Sequence, residues 1–361
     1  MRILLVRLRQ IGDVVFTTPA VGALRRRFPQ AHLAYVVEPA AAPIVANNPH
    51  LDEVIVAPPR RGLAGLAGEG ALVRRLRAAR YDVAIDFHGG PRSSLLTWLS
   101  GAPVRLGYDV AGRGWMYTKR VPRPRQLRPR HSVENQWDLL GALDIAPPDA
   151  TTFPVEMALD PHAAKAVTQR LVGAGIGADD QLIVVHASAG NPFRRWPIAA
   201  FVALVTLLVA RDRRRRVIVT SGPSELAAAE RVISEVRTLL DPVDRDHVVS
   251  CGEFSLAELR ALVNRAALFI GGDSGPLHIA ATSTVPIVGL YGPTLPVRSA
   301  PWRGPQWITE SVGIDGLPCR PCDQRTCTPG DFRCLTSLGP EQVSDAAERA
   351  LARAQVRGVR L

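Results

Sequence analysis

Apolar residues recur along the chain in short β-branched runs separated by amphipathic segments, and the whole alternation is repeated once. In the first half, RILLVRL (2–8), HLAYVVE (32–38), DEVIVAP (52–58), YDVAIDF (81–87) and VRLGY (104–108) predict strands. Between them, TTPAVGALRRRF (17–28), LVRRLRAAR (72–80) and SSLLTWLS (93–100) have helical spacing. Such alternation predicts a parallel sheet. KRVPRPRQLRPRH (119–131) is too rich in proline for a regular element and predicts a basic surface loop.

After a helical stretch around VENQWDLLGALDI (133–145), APPDATTFPVEMALDP (146–161) combines proline and acidic residues and reads as a linker. The second series then begins. QLIVVHA (181–187), RVIVTSG (216–222), HVVSC (247–251), ALFIGG (267–272) and PIVGLYG (286–292) predict strands. The helices between them are IAAFVALVTLLVARD, SELAAAERVISEVRTLL, LAELRALVNRA and PLHIAATS. Two α/β domains are expected, residues 1–157 and 158–361, each a doubly wound parallel sheet, with a final helix able to pack back on the first. Ligands bind beyond the carboxyl ends of strands in such sheets, so function is sought in the loops there.

The 361 residues, 47% hydrophobic and 21% charged, suit two domains with their own cores. The apolar runs read as too short to span a bilayer, and the chain opens directly on a strand pattern, which predicts a cytoplasmic location. Forty-four Lys and Arg against 33 Asp and Glu leave a formal charge of +11, mostly from arginine. That favours an acidic partner: nucleic acid, an anionic membrane or a phosphorylated small molecule. Aromatics are only 6%, with no basic stretch interleaved with rings that could stack on bases, so nucleic acid is the weakest of the three.

Candidate chemistry concentrates in three places. In LFIGGDSGPLHIAATSTVPIVGLYGPT (268–294) a buried strand runs into Gly-Gly, an acidic turn and a helix opened by Gly275 and Pro276. The helix N-terminus with the Ser274 hydroxyl suits a phosphate, Asp273 a sugar or ribose hydroxyl, and His278 lies one turn on; an Asp N-cap with a helix-face histidine is the plainer alternative. In VVHASAGNPFRRWP (184–197), Ser188 and then Arg194 and Arg195 follow a strand, and an arginine there can clamp a diphosphate. Glu225 opens the helix after the next strand, as a ligand contact or as a carboxylate complementing the helix dipole. At the front, QIGDVVF (10–16) places Asp13 just beyond the first strand, as a group facing the same cleft or as a helix cap.

Four of the five cysteines, Cys319, Cys322, Cys327 and Cys334, form C-x2-C-x4-C-x6-C. This spacing admits a structural metal or cluster, or reduced thiols ordering a loop.

MRILLVRLRQIGDVVFTTPAVGALRRRFP, HASAGNPFRRWP and GGDSGPLHIAATSTVPIVGLYGPT, in that order, resemble the lipopolysaccharide heptosyltransferases and their relatives in glycosyltransferase family 9. CRPC with its later cysteines is also similar to a loop found in many members. The resemblance implies a GT-B fold, two Rossmann-like domains facing across a cleft, with the acceptor on the first and a nucleotide-activated sugar on the second. It implies Asp13 as catalytic base, Arg194, often a lysine in relatives, at the donor diphosphate, and Ser188 near the same phosphates, although Ala189 replaces a hydroxyl residue present in some members. Asp273, Ser274, Gly275 and His278 match the donor-site motif, and Glu225 an acidic position associated with the nucleoside. The implied donor is ADP-L-glycero-D-manno-heptose, the acceptor a lipid-linked saccharide at an anionic inner-membrane surface, and no metal or cofactor is required for transfer. A sugar-nucleotide epimerase of the same fold, or a non-catalytic nucleotide-sugar or lipopolysaccharide-binding protein, remain the alternative readings.

Overall fold

The computed structural model describes residues 1–59, 62–123, 129–177 and 179–358. It divides into two units, Met1–Ala158 with Trp302–Gly304, and Leu159–Pro301 with Pro305–Leu361. The short excursion at 302–304 is something no linear boundary foresaw. Trp302 enters the first unit by accepting from the Val155 N–H (3.0 Å) and donating its indole N–H to the Phe153 carbonyl (3.0 Å).

The first unit is a six-stranded parallel sheet of order β3-β2-β1-β4-β5-β6. Its strands are β1 (Arg2–Val6), β2 (His32–Val37), β3 (Glu53–Val56), β4 (Val83–Asp86), β5 (Val104–Tyr108) and β6 (Lys119–Val121). The helices are α1 (Ile11–Val15), α2 (Thr18–Arg27), α3 (Ala42–Val45), α4 (Gly62–Ala78), α5 (Pro91–Leu99) and α6 (Ser132–Gly141). Alternate residues Leu4, Val6, Ala34 and Val36 point to one face and are buried with Leu72, Leu76 and Leu96 from the helices. Two sequence expectations are corrected here. Lys119–Val121, read as the start of a loop, pairs with Leu106–Tyr108 as an edge strand, where Lys and Arg are tolerated because one side of the strand is open. Residues 124–128 of that basic stretch lie outside the described residues. Helix α4 also starts ten residues earlier than its apolar spacing indicates, through the glycine-rich GLAGLAGEGA.

The second unit repeats the plan in the order β12-β11-β10-β7-β8-β9. Its strands are β7 (Gln181–His186), β8 (Arg215–Thr220), β9 (Val248–Val249), β10 (Leu268–Gly272), β11 (Ile287–Tyr291) and β12 (Thr309–Gly313). Its helices are α7 (Pro161–Gly173), α8 (Ile198–Arg211), α9 (Leu226–Leu239), α10 (Leu256–Val263), α11 (Gly275–Ala280), α12 (Pro296–Ser299), α13 (Arg333–Thr336) and α14 (Pro340–Val356). The final helix, which the sequence left able to pack on the first domain, buries Val343, Ala346, Ala347, Ala350 and Ala354 in the second core. Small alanines let it lie close to the sheet, and buried Arg215 holds it by a two-pronged ion pair to Glu348 (2.8 Å at each prong). Helix α8 lies in a segment, 192–211, that is long and apolar enough to cross a membrane, contrary to the reading of short apolar runs. Its Phe201, Val202, Leu204, Val205, Leu208 and Val209 are buried in the same core.

Gly107 in β5 shows how closely the first sheet is packed. A Cβ there would lie 2.3 Å from the Tyr117 ring, whose hydroxyl donates to buried Asp86 at 2.7 Å. Gly107→Ala is therefore expected to destabilise the protein by about 1–3 kcal/mol, the usual cost of overpacking. A lowered denaturation midpoint checks this; an unchanged midpoint would show that Tyr117 can move aside freely.

Candidate active site

In the first unit the chain leaves β1 at Arg7, a buried arginine in the loop after the sheet's central strand. Its guanidinium donates to the Phe87 carbonyl at 2.6 Å and forms an ion pair with the Asp13 carboxylate. Asp13 lies inside the first turn of α1, whose N-cap is Gln10 in a left-handed conformation (φ 65°) without a side-chain capping bond. The capping role weighed for Asp13 is therefore corrected. Its side chain, 39% exposed, is aimed by Arg7 while its backbone carbonyl accepts from Gln136 Nε2 at 3.4 Å.

The neighbouring strand β4 ends on Asp86, fully buried. Oδ1 accepts from the backbone N–H groups of His88 (2.8 Å) and Gly89 (2.9 Å), and Oδ2 from Ser93 Oγ (2.9 Å) and Tyr117 Oη (2.7 Å). Burial raises its pKa even so, and the donors oppose that rise. Asp86 thus fixes the DFHGG loop beside Arg7. His88 on that loop is pushed down to about 4, first by burial and then by Arg7 and Arg9, so it is neutral at pH 7.

In the second unit the loops after β7, β8, β10 and β11 gather at one edge, as parallel strands require. Asp273, 2% exposed, follows β10. Its Oδ2 accepts from Thr294 Oγ1 (2.5 Å) and pairs with Arg194 Nη1 (3.2 Å), while Oδ1 lies 3.5 Å from His278 Nε2. This nearly sealed carboxylate positions Thr294 and Arg194 through Oδ2. Arg194 also donates Nη1 to the Asp273 carbonyl (3.0 Å) and Nε to Gln324 Oε1 (2.7 Å), so its guanidinium is held on two sides. Gln324 in turn accepts from Asn191 Nδ2 at 2.9 Å.

Ser274, not Asp273, occupies the N-cap of α11, and its hydroxyl bonds the Gly272 carbonyl (3.2 Å). Pro276 has no N–H, so the helix start is led by Gly275. Ser188 is buried, with its hydroxyl between His186 Nε2 (3.0 Å) and the Gly222 N–H (2.9 Å), which holds together the loops after β7 and β8. Glu225 accepts from Arg195 Nε at 2.6 Å. The site residues named from sequence in this unit thus share one sheet edge; the Ser188 hydroxyl is engaged by its own neighbours, whereas Asp273 keeps Oδ1 without a hydrogen-bond partner among the described residues.

All five cysteines are free thiols, and Cys319, Cys322, Cys327 and Cys334 line one cavity with Phe193, Phe332 and Arg333. Among the described residues no group of three or more Cys, His, Asp or Glu is disposed to hold a metal ion. Burial raises the pKa of the Cys334 thiol. The structural-metal reading is thus unsupported, and the loop's visible contribution is Gln324.

Sequence reasoning missed Arg7, Asp86, Thr294 and Gln324. An arginine directly after an apolar strand and a threonine closing YGPT are signals of a kind; Gln324 has none, since its contact to Arg194 spans 130 positions.

Residues 70–331 match the family described as glycosyltransferase family 9 (heptosyltransferase). The chain is 29% identical over 300 residues to lipopolysaccharide heptosyltransferase 3 of Escherichia coli, covering 81% of this chain and 83% of the relative. A glycosyltransferase family 9 structure from Veillonella parvula superposes with a TM-score of 0.83 at 25% identity, covering 97% of each chain. The structure of E. coli heptosyltransferase WaaC with ADP gives 0.70 at 21% identity, over 97% of this chain and 100% of the other. The two doubly wound units are those of the GT-B fold.

The His186 network yields a pH prediction. Burial pushes its pKa down to about 4, against about 6.5 unfolded. Between these values the unfolded chain binds a proton that the folded one refuses, so stability falls as pH drops from about 6.5 to about 4. His186→Gln should remove up to about 3 kcal/mol of that acid-side loss. Denaturation midpoints across this range for both proteins measure it; parallel curves would show that His186 takes up its proton while folded.

Proposed function

The chain belongs to glycosyltransferase family 9, the heptosyltransferases, and from that premise we propose that it moves a heptose from ADP-L-glycero-D-manno-heptose to a lipopolysaccharide core saccharide, with Asp13 as general base. The observation that carries this reading is the placement of Asp13 and Arg194, each fixed by a charged partner at the carboxyl edge of its own parallel sheet.

The chemistry requires two things. The acceptor hydroxyl loses its proton as its oxygen bonds the anomeric carbon, and the bond from that carbon to ADP breaks, leaving the electron pair on the diphosphate. Asp13 takes the proton. In doing so it loses its charge and its pull on Arg7, which keeps its bond to the Phe87 carbonyl. Arg194, with the Gly275 N–H, meets the charge growing on the diphosphate. Asp273 and Gln324 set the direction of the guanidinium, and little reorganisation is then needed during reaction. Single displacement inverts the anomeric centre. Protein cations serve the leaving group, so transfer proceeds without a divalent ion. His278, Ser274 and Glu225 complete the donor side, and Ser188 acts by holding the loops.

A relative bound to ADP, WaaC, is consistent with an adenine nucleotide donor here. The acceptor, a lipid-linked saccharide, places the enzyme in the cytoplasm at the anionic inner-membrane surface, which the +11 charge suits. The epimerase and pure binding readings have no observation in their favour.

Two variants test the halves separately, assayed with truncated lipopolysaccharide acceptor in EDTA and product read by mass spectrometry. Asp13→Asn keeps the shape but cannot accept a proton, and turnover should fall by roughly 10²- to 10⁴-fold with ADP affinity nearly unchanged. Asp13→Glu, which can still pair with Arg7 and take a proton, should recover part of the loss. Near-normal turnover in the asparagine variant would place the base elsewhere. Arg194→Ala should weaken ADP binding by about tenfold or more in calorimetry, the worth of a charge-assisted contact. Unchanged ADP affinity and turnover would remove Arg194 from the donor site.

A further inference from the structure

Helix α5 buries a largely polar face, with Leu96 its contribution to the apolar core. Arg92, Ser93, Ser94 and Thr97 are buried, whereas Pro91, Leu95 and Trp98 are exposed. A helix on a sheet normally turns its apolar stripe inward. The buried polar face has a reason: Ser93 Oγ donates to Asp86, and Arg92 pairs with Glu38 (2.8 Å) and Glu69. The outward face has none within the first unit. Pro91, Leu95 and Trp98 follow i, i+4, i+7 spacing and so form one stripe. Trp115, 62% exposed, stacks edge-on against Trp98 with ring centroids 5.3 Å apart, and its indole N–H is satisfied by the Gly112 carbonyl. Beside this patch, against the Gly114 turn that carries Trp115, the edge strand β6 carries exposed Lys119 and Arg120, the latter within 3.8 Å of the exposed Asp109 carboxylate. Cations on an edge strand protect against strand pairing, but that does not explain an apolar stripe next to them.

We propose that this patch, Leu95, Trp98 and Trp115 with Lys119 and Arg120 beside it, is the surface by which the first unit docks on an anionic lipid bilayer. The inference deepens the proposed function, because it rests on an acceptor that is held in a membrane. Tryptophan rings favour the boundary between headgroups and acyl chains, and neighbouring cations meet lipid phosphates. Charge decides against a second copy of the chain as the occupant. A two-fold contact would bring the basic margin of one patch towards that of the other.

The test is co-sedimentation with vesicles of phosphatidylglycerol and phosphatidylcholine, and with phosphatidylcholine alone, neither carrying acceptor. The native protein should bind the anionic vesicles and far less to the neutral ones. Trp98→Ser with Trp115→Ser should bind anionic vesicles at least about tenfold more weakly, and Lys119→Glu with Arg120→Glu should lose a similar factor at low salt. Leu95→Lys is a second, milder probe of the stripe and should also weaken binding. Turnover on a soluble truncated acceptor should match the native enzyme in every variant. Native-like vesicle binding by the tryptophan and Leu95 variants would overturn the proposal, as would failure of the native protein to bind anionic vesicles. A dimer in sedimentation that the tryptophan changes dissociate would assign the patch to a second copy and overturn it too. Vesicle binding without heptose transfer would instead count against the proposed reaction and leave the docking surface standing.

Discussion

A carboxylate taken out of water must be met by donors or cations, and each unit is organised around one that is. Asp86 ends β4 and Asp273 follows β10, both central strands, and both side chains are sealed from solvent. The donors come from the loops that the carboxylate then fixes. Asp86 gathers the amides of the DFHGG loop, the first turn of α5 and Tyr117; Asp273 gathers Thr294 and Arg194. The groups that reach outward, Asp13 beside Arg7 and Arg194 beside Gln324, are positioned at the margins of these two nodes.

The strands were legible because a strand buried on both faces must be apolar along its length, which is why RILLV and LFIGG declare themselves. The elements that escaped are those that such burial does not touch. Strand β6 is an exposed basic edge, and β12 (TESVG) opens on three consecutive polar residues because its positions are only half-buried or exposed. Helix α4 begins in glycine-rich sequence with low intrinsic preference for helix, so packing decides its start. In the site, Asp13, Arg194 and the GDSGP turn could be located from sequence since each lies between the carboxyl end of a strand and the body of the next helix. What could not be read was occupancy. Whether Ser188 or Asp273 offers its oxygen to a ligand depends on Gly222, Thr294 and Arg194, which are distant in sequence.

The same distinction applies to the cysteine loop. Its regular spacing draws attention to the thiols, yet the atom that bears on Arg194 is the amide oxygen of Gln324, between Asn191 and Arg194. The loop is anchored by Arg320, which donates to the carbonyls of Thr294 (2.8 Å) and Ile314. Thr294 is also the partner of Asp273, so backbone and side-chain bonds connect the loop to the node from both ends.

The late segments of the chain have a consequence for synthesis. Trp302–Gly304 belongs to the first unit, and α14 closes the second core over the sheet through Arg215 and Glu348. A chain leaving the ribosome N-terminus first thus cannot finish its first unit until residue 304 has emerged, although residues 1–158 were made much earlier. The second core waits longer still, with the apolar face of α8 uncovered until the last helix arrives. A nascent or truncated chain lacking α14 would present that face to chaperones, or to other copies of itself.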